Sequence, residues 1–253
     1  MKLVLHCLFI FCLFGQGEGR KIAEKANAIQ RNFKDESVTS TMYLINAKND
    51  TVTRHLRNYT LERPKQMDYS IVQFLNPPDV RGTGLLTYQN PAKDDKQWLY
   101  LPELRRVKKI SSKNKSGAFM ASEFAYEDIT GNTLDKFTYK KIGEETLDGK
   151  VCYVLERTPT YKNSGYTKIK SWYTKDEYLP VRNEFTDRKH SLLKVQTFHD
   201  WKKYGQTYRS GKIVMENLQT GKKSVLIFSD RELGVGLKES LFTKRSLQRL
   251  QKN

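Results

Sequence analysis

The histidines and the adjacent carboxylates are the side chains of this sequence with the chemistry for metal binding or acid–base catalysis. Beyond the N-terminal segment, His55, His190 and His199 each lack a second histidine or a cysteine at a metal-ligand spacing. The pairs Glu127–Asp128 and Glu144–Glu145 are of a kind that usually lies in solvent. The sequence contains neither a GxSxG turn nor a glycine-rich phosphate loop. We therefore expect no metal site, no cofactor and no enzymatic activity.

Residues 1–19 have the pattern of a cleaved signal peptide. A basic start is followed by an almost wholly apolar run at 3–14 and then by small residues. About a dozen apolar residues are too few for a stable membrane span. Two alternatives remain open, an uncleaved membrane anchor and lipidation of either cysteine in this segment. We expect cleavage near Gly17 or Gly19, which would export residues 20–253 to the periplasm as a single domain.

The charge of the chain points to an anionic partner. Lys and Arg number 45 against 28 Asp and Glu, which gives a formal net charge of +17. An exported protein of this charge is attracted to lipid headgroups or to an acidic protein, although solubility is a simpler explanation. Export and the lack of a nucleic-acid-binding motif argue against nucleic acid. The predicted basic surface, which would face headgroups or else be an ordinary solvated strand face, consists of Arg105, Arg106, Lys108 and Lys109.

Three segments have features of helices. Residues 20–34 place Ile22, Ala26, Ile29 and Phe33 on one side, which predicts an amphipathic helix of about four turns. The segments 116–129 and 240–251 are further helical candidates, and the first of them fits no clean period.

The remainder of the chain alternates between apolar and polar residues with a period of two. From residue 38 to residue 230, runs rich in Tyr, Val, Ile, Thr and Phe are separated by turn sequences. The predicted strands include 51–62, 167–174 and 193–204. The Asp148–Gly149 pair between two such runs is a strong hairpin signal. About eleven or twelve successive strands joined by short turns predict an antiparallel meander, without the helical crossovers of a parallel sheet.

Three motifs occur in order in the centre of the chain. Residues 77–86 fit P-x-D-x-(R/K)-G-T-x-(L/F)-L, residues 98–110 fit W-x-Y-L-P-x-L-x-R-(V/I)-(K/R)-(R/K)-I, and residues 119–128 fit F-M-x-S-(D/E)-F-x-Y-E-D. Together they resemble the outer-membrane lipoprotein-sorting, or LolA-like, family, and in particular its branch associated with RND-type exporters. The resemblance extends over the whole mature chain, and residues 241–247 resemble the family's ending. Ala118 and Ala121 depart mildly, since that branch commonly has glycine or small polar residues there.

The resemblance implies both a fold and a function. The fold is a mainly β structure in which a curved antiparallel sheet forms an incomplete β-barrel, covered by α-helices around a hydrophobic cavity. The function is that of a periplasmic carrier of lipids or lipoprotein acyl chains for outer-membrane sorting. Implied partners are an RND-type inner-membrane exporter, an outer-membrane acceptor and an anionic membrane surface. The alternatives are an envelope sensor that binds a lipidated ligand and a protein partner, and an enzyme acting on lipids, which the missing catalytic residues disfavour.

Alternation and the implied fold together select candidate residues. The candidates for the lipid cavity, of which the last three would form a helical lid, are Met42, Leu44, Met67, Tyr69, Ile71, Trp98, Tyr100, Phe119, Met120 and Phe124. Each of them is also an ordinary core residue in the simpler interpretation. The segment Arg81, Gly82, Thr83 and Gly84 would be a rim or hinge loop, and a plain turn explains it equally well.

Overall fold

The computed structural model describes residues 17–130 and 133–250 of the chain. Helix α1 covers residues 17–28, so most of the predicted signal peptide lies outside the described residues. The helix does not continue to residue 34, because Asn32 and Lys34 adopt φ angles of 69° and 64°. Within the described residues, no helix is long and apolar enough to cross a membrane.

Fifteen β-strands account for half of the described residues. They are β1 Asp35–Ile45, β2 Thr51–Leu61, β3 Tyr69–Asn76, β4 Gly84–Tyr88, β5 Lys96–Leu101, β6 Arg106–Ile110, β7 Phe137–Leu147, β8 Lys150–Pro159, β9 Tyr166–Thr174, β10 Pro180–Asp187, β11 Leu192–His199, β12 Lys202–Tyr204, β13 Thr207–Arg209, β14 Lys212–Asn217 and β15 Lys222–Leu233. The predicted strand at 193–204 is interrupted at Asp200, whose φ is 56°. As a result β12 and β13 form a separate small hairpin.

Thirteen of these strands form one antiparallel sheet. Its order is β6-β5-β4-β3-β2-β1-β15-β14-β11-β10-β9-β8-β7, so β6 and β7 are its two edges. Most neighbours are consecutive in sequence, as in the predicted meander, and the pairing of β1 with β15 joins the two halves. The sheet is strongly curved without closing, which confirms the predicted incomplete barrel of the LolA-like fold.

The main core occupies the concave face of the sheet. One cluster contains buried residues from strands of both halves, together with Ile22 and Ala26 of α1 and Phe119 of the β6–β7 connection. Side chains from so many strands can meet in one cluster only on the inside of the curve. The β6–β7 connection, whose residues 112–130 we call the covering segment, therefore crosses the open side of the sheet.

The covering segment is not the helix that its composition suggested. Only α2, Tyr126–Ile129, is α-helical in it, after a 3-10 turn at Ser112–Asn114. Met120 and Ala121 adopt φ angles of 49° and 60°, which a helix does not allow. The expected helical lid is therefore a compact run of turns.

A second core cluster lies on the opposite face of β3, β4 and β5. Here the chain after β15 forms a 3-10 turn, Glu239–Leu241, and a short helix α3, Lys244–Arg249, in place of the single helix predicted over 240–251. Phe242 and Leu247 of this C-terminal segment are 1% and 2% exposed, in contact with Leu86 and Tyr100. These central strands are therefore buried on both faces.

Candidate functional site

A cavity of about 300 Å³ lies between the concave face and the covering segment. Strands from both halves of the sheet and the covering segment supply its wall. Its apolar residues include Val38, Leu56, Phe124, Ile213, Leu226 and Phe228. A largely apolar pocket with a few polar groups has the composition of a small-molecule site.

Two smaller cavities continue this space along the concave face. They measure about 200 and 250 Å³, and we use the term largest cavity for the largest of these three. A wide, open surface groove at residues 31–35 and 61–66 is larger, at about 690 Å³. Phe198 of β11 lines all three cavities. Ile213 of β14 lines the largest cavity and the cavity of about 200 Å³. A movement of these two side chains would change how the cavities connect. The three cavities together therefore extend further along the concave face than the largest one alone.

Hydrogen bonds to main-chain oxygens hold the covering segment over the cavity. Arg54 of β2 donates from Nη1 to the oxygen of Met120, and Lys194 of β11 donates from Nζ to the oxygen of Glu123 at 3.0 Å. Asn217 of β14 donates to Oε2 of Glu123 at 2.8 Å. Donors from both halves of the sheet therefore bind the segment.

Glu127 fastens the end of the covering segment to the β8–β9 turn. Its carboxylate accepts hydrogen bonds from the Tyr161 hydroxyl at 2.7 Å, the Ser164 hydroxyl at 3.0 Å and the Gly165 amide at 2.8 Å. Burial nevertheless raises the pKa of Glu127, because removal from water disfavours its charged form.

Asp128 makes a second buried attachment next to it. Its side chain is 6% exposed and lies 2.6 Å from Nζ of Lys194, and it accepts a hydrogen bond from the Tyr166 hydroxyl at 2.9 Å. The expectation that the Glu127–Asp128 pair is solvated is therefore wrong. The side-chain partners of these carboxylates lie more than thirty residues away in sequence, so no local pattern could reveal them.

The structure brings some of the predicted cavity residues together. At the wall of the largest cavity are Met42, Phe119 and Phe124; Ile71 also borders this cavity, although its side chain packs in the second core cluster. Leu44 and Met120 are partly buried against the concave cluster, whereas Met67, just before β3, is 39% exposed. A role for these residues in lipid binding stays a prediction.

Tyr69, Trp98 and Tyr100 lie elsewhere. They belong to the second cluster, beneath the C-terminal segment, and Ile71 packs there as well. The expectation that they face the concave side is wrong, because alternation separates two faces without saying which is concave. Both faces of these strands are apolar, so the sequence contained no polar face that would have marked the side away from the cavity.

The proposed rim or hinge residues form a buried turn between β3 and β4. Gly82, Thr83 and Gly84 are buried and Arg81 is exposed. The amide of Gly82 donates to the oxygen of Phe74 at 2.8 Å, and a Cβ on Gly84 would lie 2.9 Å from Cδ2 of Leu247. This geometry favours the plain-turn interpretation, with Gly84 allowing close approach of α3.

The predicted basic surface forms the exposed tip and edge of the β5–β6 hairpin. All four of its residues, Arg105, Arg106, Lys108 and Lys109, are exposed, and none makes an ion pair with another described residue. Leu104, beside them, is 67% exposed, more than any other large apolar side chain in the described ranges. Cations on an edge strand also discourage edge-to-edge pairing, so this arrangement has a structural use too.

The last strands supply cavity residues that sequence analysis missed. Ile213, Leu226 and Phe228 line the largest cavity from β14 and β15. Their signal was present, since Ile213 and Met215, like Leu226 and Phe228, are spaced by two. The missing information was that β15 returns to pair with β1.

Comparisons with known proteins place this architecture in a family. A family model described as "Uncharacterized protein" matches residues 66–249. A solved domain described as an outer membrane lipoprotein-sorting protein, from Vibrio parahaemolyticus, is 42% identical with a TM-score of 0.90, and the match covers 92% of this chain and 100% of that one. The chain therefore belongs to the outer-membrane lipoprotein-sorting, LolA-like family. No curated protein sequence matches it.

Two more solved structures share the fold. A DUF1329 family protein from Desulfovibrio piger is 29% identical with a TM-score of 0.87, over 92% of this chain and 99% of that one. A LolA superfamily protein from Nitrosomonas europaea is 23% identical with a TM-score of 0.74, over 90% and 98% of the two chains. The association of this branch with RND-type exporters stays a prediction.

Proposed function

We propose that the protein is a periplasmic carrier that encloses acyl chains of a lipid or lipoprotein in the concave cavity and conveys them toward the outer membrane. The observation that carries the proposal is the apolar cavity between the sheet and the covering segment. A relative 42% identical to this chain is described as a lipoprotein-sorting protein, which supports the same role.

The physical need for such a carrier follows from the solubility of acyl chains. Each methylene group exposed to water costs about 0.8 kcal/mol, so a chain of a dozen methylenes costs about 10 kcal/mol. A cavity lined by aliphatic and aromatic side chains removes this cost without demanding polar partners from the ligand. The role consists of binding and release, and we propose that it involves no catalytic step.

Export and docking complete the proposal. Residues 1–19 direct the chain to the periplasm, where an RND-type exporter is the donor and the outer membrane holds the acceptor. The exposed cations of the β5–β6 hairpin bring the protein to anionic headgroups, each worth about 1 kcal/mol near such a surface. Leu104 beside them is placed to enter the interfacial region.

Native mass spectrometry of the protein purified from its own envelope tests the proposal. We expect a discrete adduct of lipid or lipoprotein mass. The variant Ile213→Trp adds a bulky side chain where two cavities meet and should lower adduct occupancy at least tenfold, since it occupies the space of the acyl chain.

The matched control is Ile227→Trp, on the face of β15 that points away from the cavity, where Ile227 is 41% exposed. It should leave the adduct unchanged, and equal thermal unfolding temperatures would show that both variants fold. A protein that stays bare even after incubation with total envelope lipid would contradict the carrier role. That result would favour the alternative of an envelope sensor that acts through a protein partner.

A further inference from the structure

One end of the largest cavity is polar. Arg209 of β13 and Arg231 of β15 line it, together with Glu36 of β1 and Ser210. Trp201, just after β11, adds an indole ring to the same wall. The rest of the wall is mainly apolar, so the cavity has the amphipathic character of a lipid with a headgroup.

The two guanidinium groups share a single carboxylate. Nε of Arg231 lies 2.7 Å from Oε1 of Glu36, and Nε of Arg209 lies 3.4 Å from Oε2 of Glu36. The side chains of Arg231, Arg209 and Glu36 are only 7%, 13% and 11% exposed, respectively. Two cations facing one anion leave a net positive charge in a poorly hydrated place, and such a charge is stabilised by an anion.

The other carboxylates nearby are committed to different partners. Asp128, also on the cavity wall, is paired with Lys194 at 2.6 Å. Glu62, whose charge acts on Arg209 from farther away, is bound by Arg31 at 2.8 Å. Neither supplies a second close anion to Arg209 or Arg231.

Several N–H groups at this end have no acceptor. Nε1 of Trp201 is buried and makes no hydrogen bond within the described part of the chain. Nη1 of Arg231 donates to the oxygen of Ser210 at 2.9 Å, and Nη1 of Arg209 donates to the oxygen of Gln30 at 2.6 Å. Among residues 17–130 and 133–250, nothing accepts from Nη2 of either arginine. Donors left free in this way match the oxygens of a carboxylate or a phosphate.

The polar and apolar ends are separated by a length suited to an acyl lipid. Glu36 and Met42 lie on the same face of β1, six residues apart, which is about 20 Å along a strand. Phe119, Phe124 and Leu226 surround the cavity away from the arginines. A ligand with its charged end near Glu36 would extend its tail toward Met42.

We infer that Arg209, Arg231 and Trp201 bind the anionic headgroup of the acyl lipid carried in the cavity, so that the protein selects anionic over neutral amphiphiles. This inference rests on the proposed function and names its ligand class. The headgroup oxygens, whether carboxylate or phosphate, accept hydrogen bonds from the free N–H groups of the three side chains. Glu36 holds the two guanidinium groups in place. Its single negative charge balances only one of their two positive charges.

Calorimetric titration of the delipidated protein tests the inference, with each amphiphile kept below its critical micelle concentration. Dodecanoate, dodecyl phosphate and dodecanol share one tail, and glycerol 3-phosphate supplies a phosphate without a tail. Both anionic amphiphiles should bind about tenfold or more tightly than dodecanol, as expected for charge-assisted hydrogen bonds. Glycerol 3-phosphate should not bind measurably.

Variants then assign the preference to the named side chains. Arg231→Gln and Trp201→Phe should each reduce the preference for dodecanoate at least threefold while leaving dodecanol affinity unchanged. Arg209→Lys keeps the positive charge at this position. It is the conservative variant to use if a neutral substitution prevents folding. Lys48→Gln, which removes one exposed charge from the turn between β1 and β2, is the control and should preserve the preference.

Each contrary result has a distinct meaning. Equal binding of dodecanoate and dodecanol, or a preference unchanged in all the cavity variants, would overturn the headgroup assignment and leave the carrier proposal standing. Tight binding of glycerol 3-phosphate would show a site for free phosphate and would also overturn the assignment. Failure of every amphiphile to bind would overturn the carrier proposal itself.

Discussion

Arg54, on the second strand, donates a hydrogen bond from Nη1 to the main-chain oxygen of Met120, 66 residues further along the chain. Burial lowers the pKa of this guanidinium, and its Cζ atom lies 5.7 Å from the ring centre of Phe74. Met120 is the first of two residues with positive φ in the covering segment. One buried cation thus binds the segment at its most unusual turn.

Replacing Arg54 should loosen the covering segment. Arg54→Gln is too short to reach the oxygen of Met120, so the segment loses a charge-assisted hydrogen bond worth about 1.5 to 3 kcal/mol. Hydrogen–deuterium exchange should then quicken in residues 112–130 by at least tenfold, with strands β8–β10 unchanged.

Arg57→Gln is the control for Arg54, since it removes the same side chain from the other face of β2. Its exchange pattern in residues 112–130 should match the unmodified protein. Equal protection of the covering segment in both variants would show that other contacts hold it.

Glu127 should make stability depend on pH in an unusual direction. Burial raises its pKa above the ordinary 4.5, so the folded state holds a proton that the unfolded state has already released. Stability contributed by this group is therefore largest below pH 4.5 and declines as the pH rises through the folded-state pKa. Urea unfolding across pH 4 to 8 should show this decline relative to Glu127→Gln.

The comparison needs a surface carboxylate as a reference. Glu103→Gln, in the exposed β5–β6 turn, should follow the pH profile of the unmodified protein. If Glu127→Gln also follows that profile, Glu127 is not a source of the pH dependence.

The C-terminal segment should be essential for stability. Leu247 is 2% exposed and packs against the central strands, so Leu247→Ala should cost about 2 to 5 kcal/mol in the free energy of unfolding. Leu104→Ala, at an exposed site, should change it by less than about 0.5 kcal/mol. Chemical denaturation measures both, and a similar small effect at both sites would contradict the packing described.

The basic hairpin tip should bind anionic membranes. Arg105→Gln with Arg106→Gln should weaken binding to phosphatidylglycerol vesicles by about 2 kcal/mol in partition free energy. The pair Lys202→Gln with Lys203→Gln removes the same charge from another exposed hairpin and should have a smaller effect. Vesicle co-sedimentation at two salt concentrations checks this, and equal losses in both double variants would indicate attraction by net charge alone.

Strand positions followed well from the sequence because period-two alternation is a local property. β2 and β9 were predicted to within a residue or two of their observed bounds. The face that each side chain occupies was less accessible. In β3 to β5, adjacent residues such as Leu85 and Leu86 are 1% and 0% exposed on opposite faces, so hydrophobicity could not identify the concave one.

The polar groups of the cavity depend on contacts between distant residues. Glu36 and Arg231 meet because β1 pairs with β15, and the sequence separation of the two strands hides this pairing. The same reason explains the mistaken expectation for Glu127, whose partners come from the β8–β9 turn. Local patterns thus located the strands, and long-range pairing determined the site.

The pairing of β1 with β15 also has a consequence for biogenesis. The first strand of the sheet must wait for the last, so the floor of the cavity is incomplete until nearly the whole chain is available to fold. Contacts of such long sequence separation form slowly. Until then β1 and β14 are unpaired edges beside exposed apolar residues, and during this interval the emerging chain needs protection from aggregation.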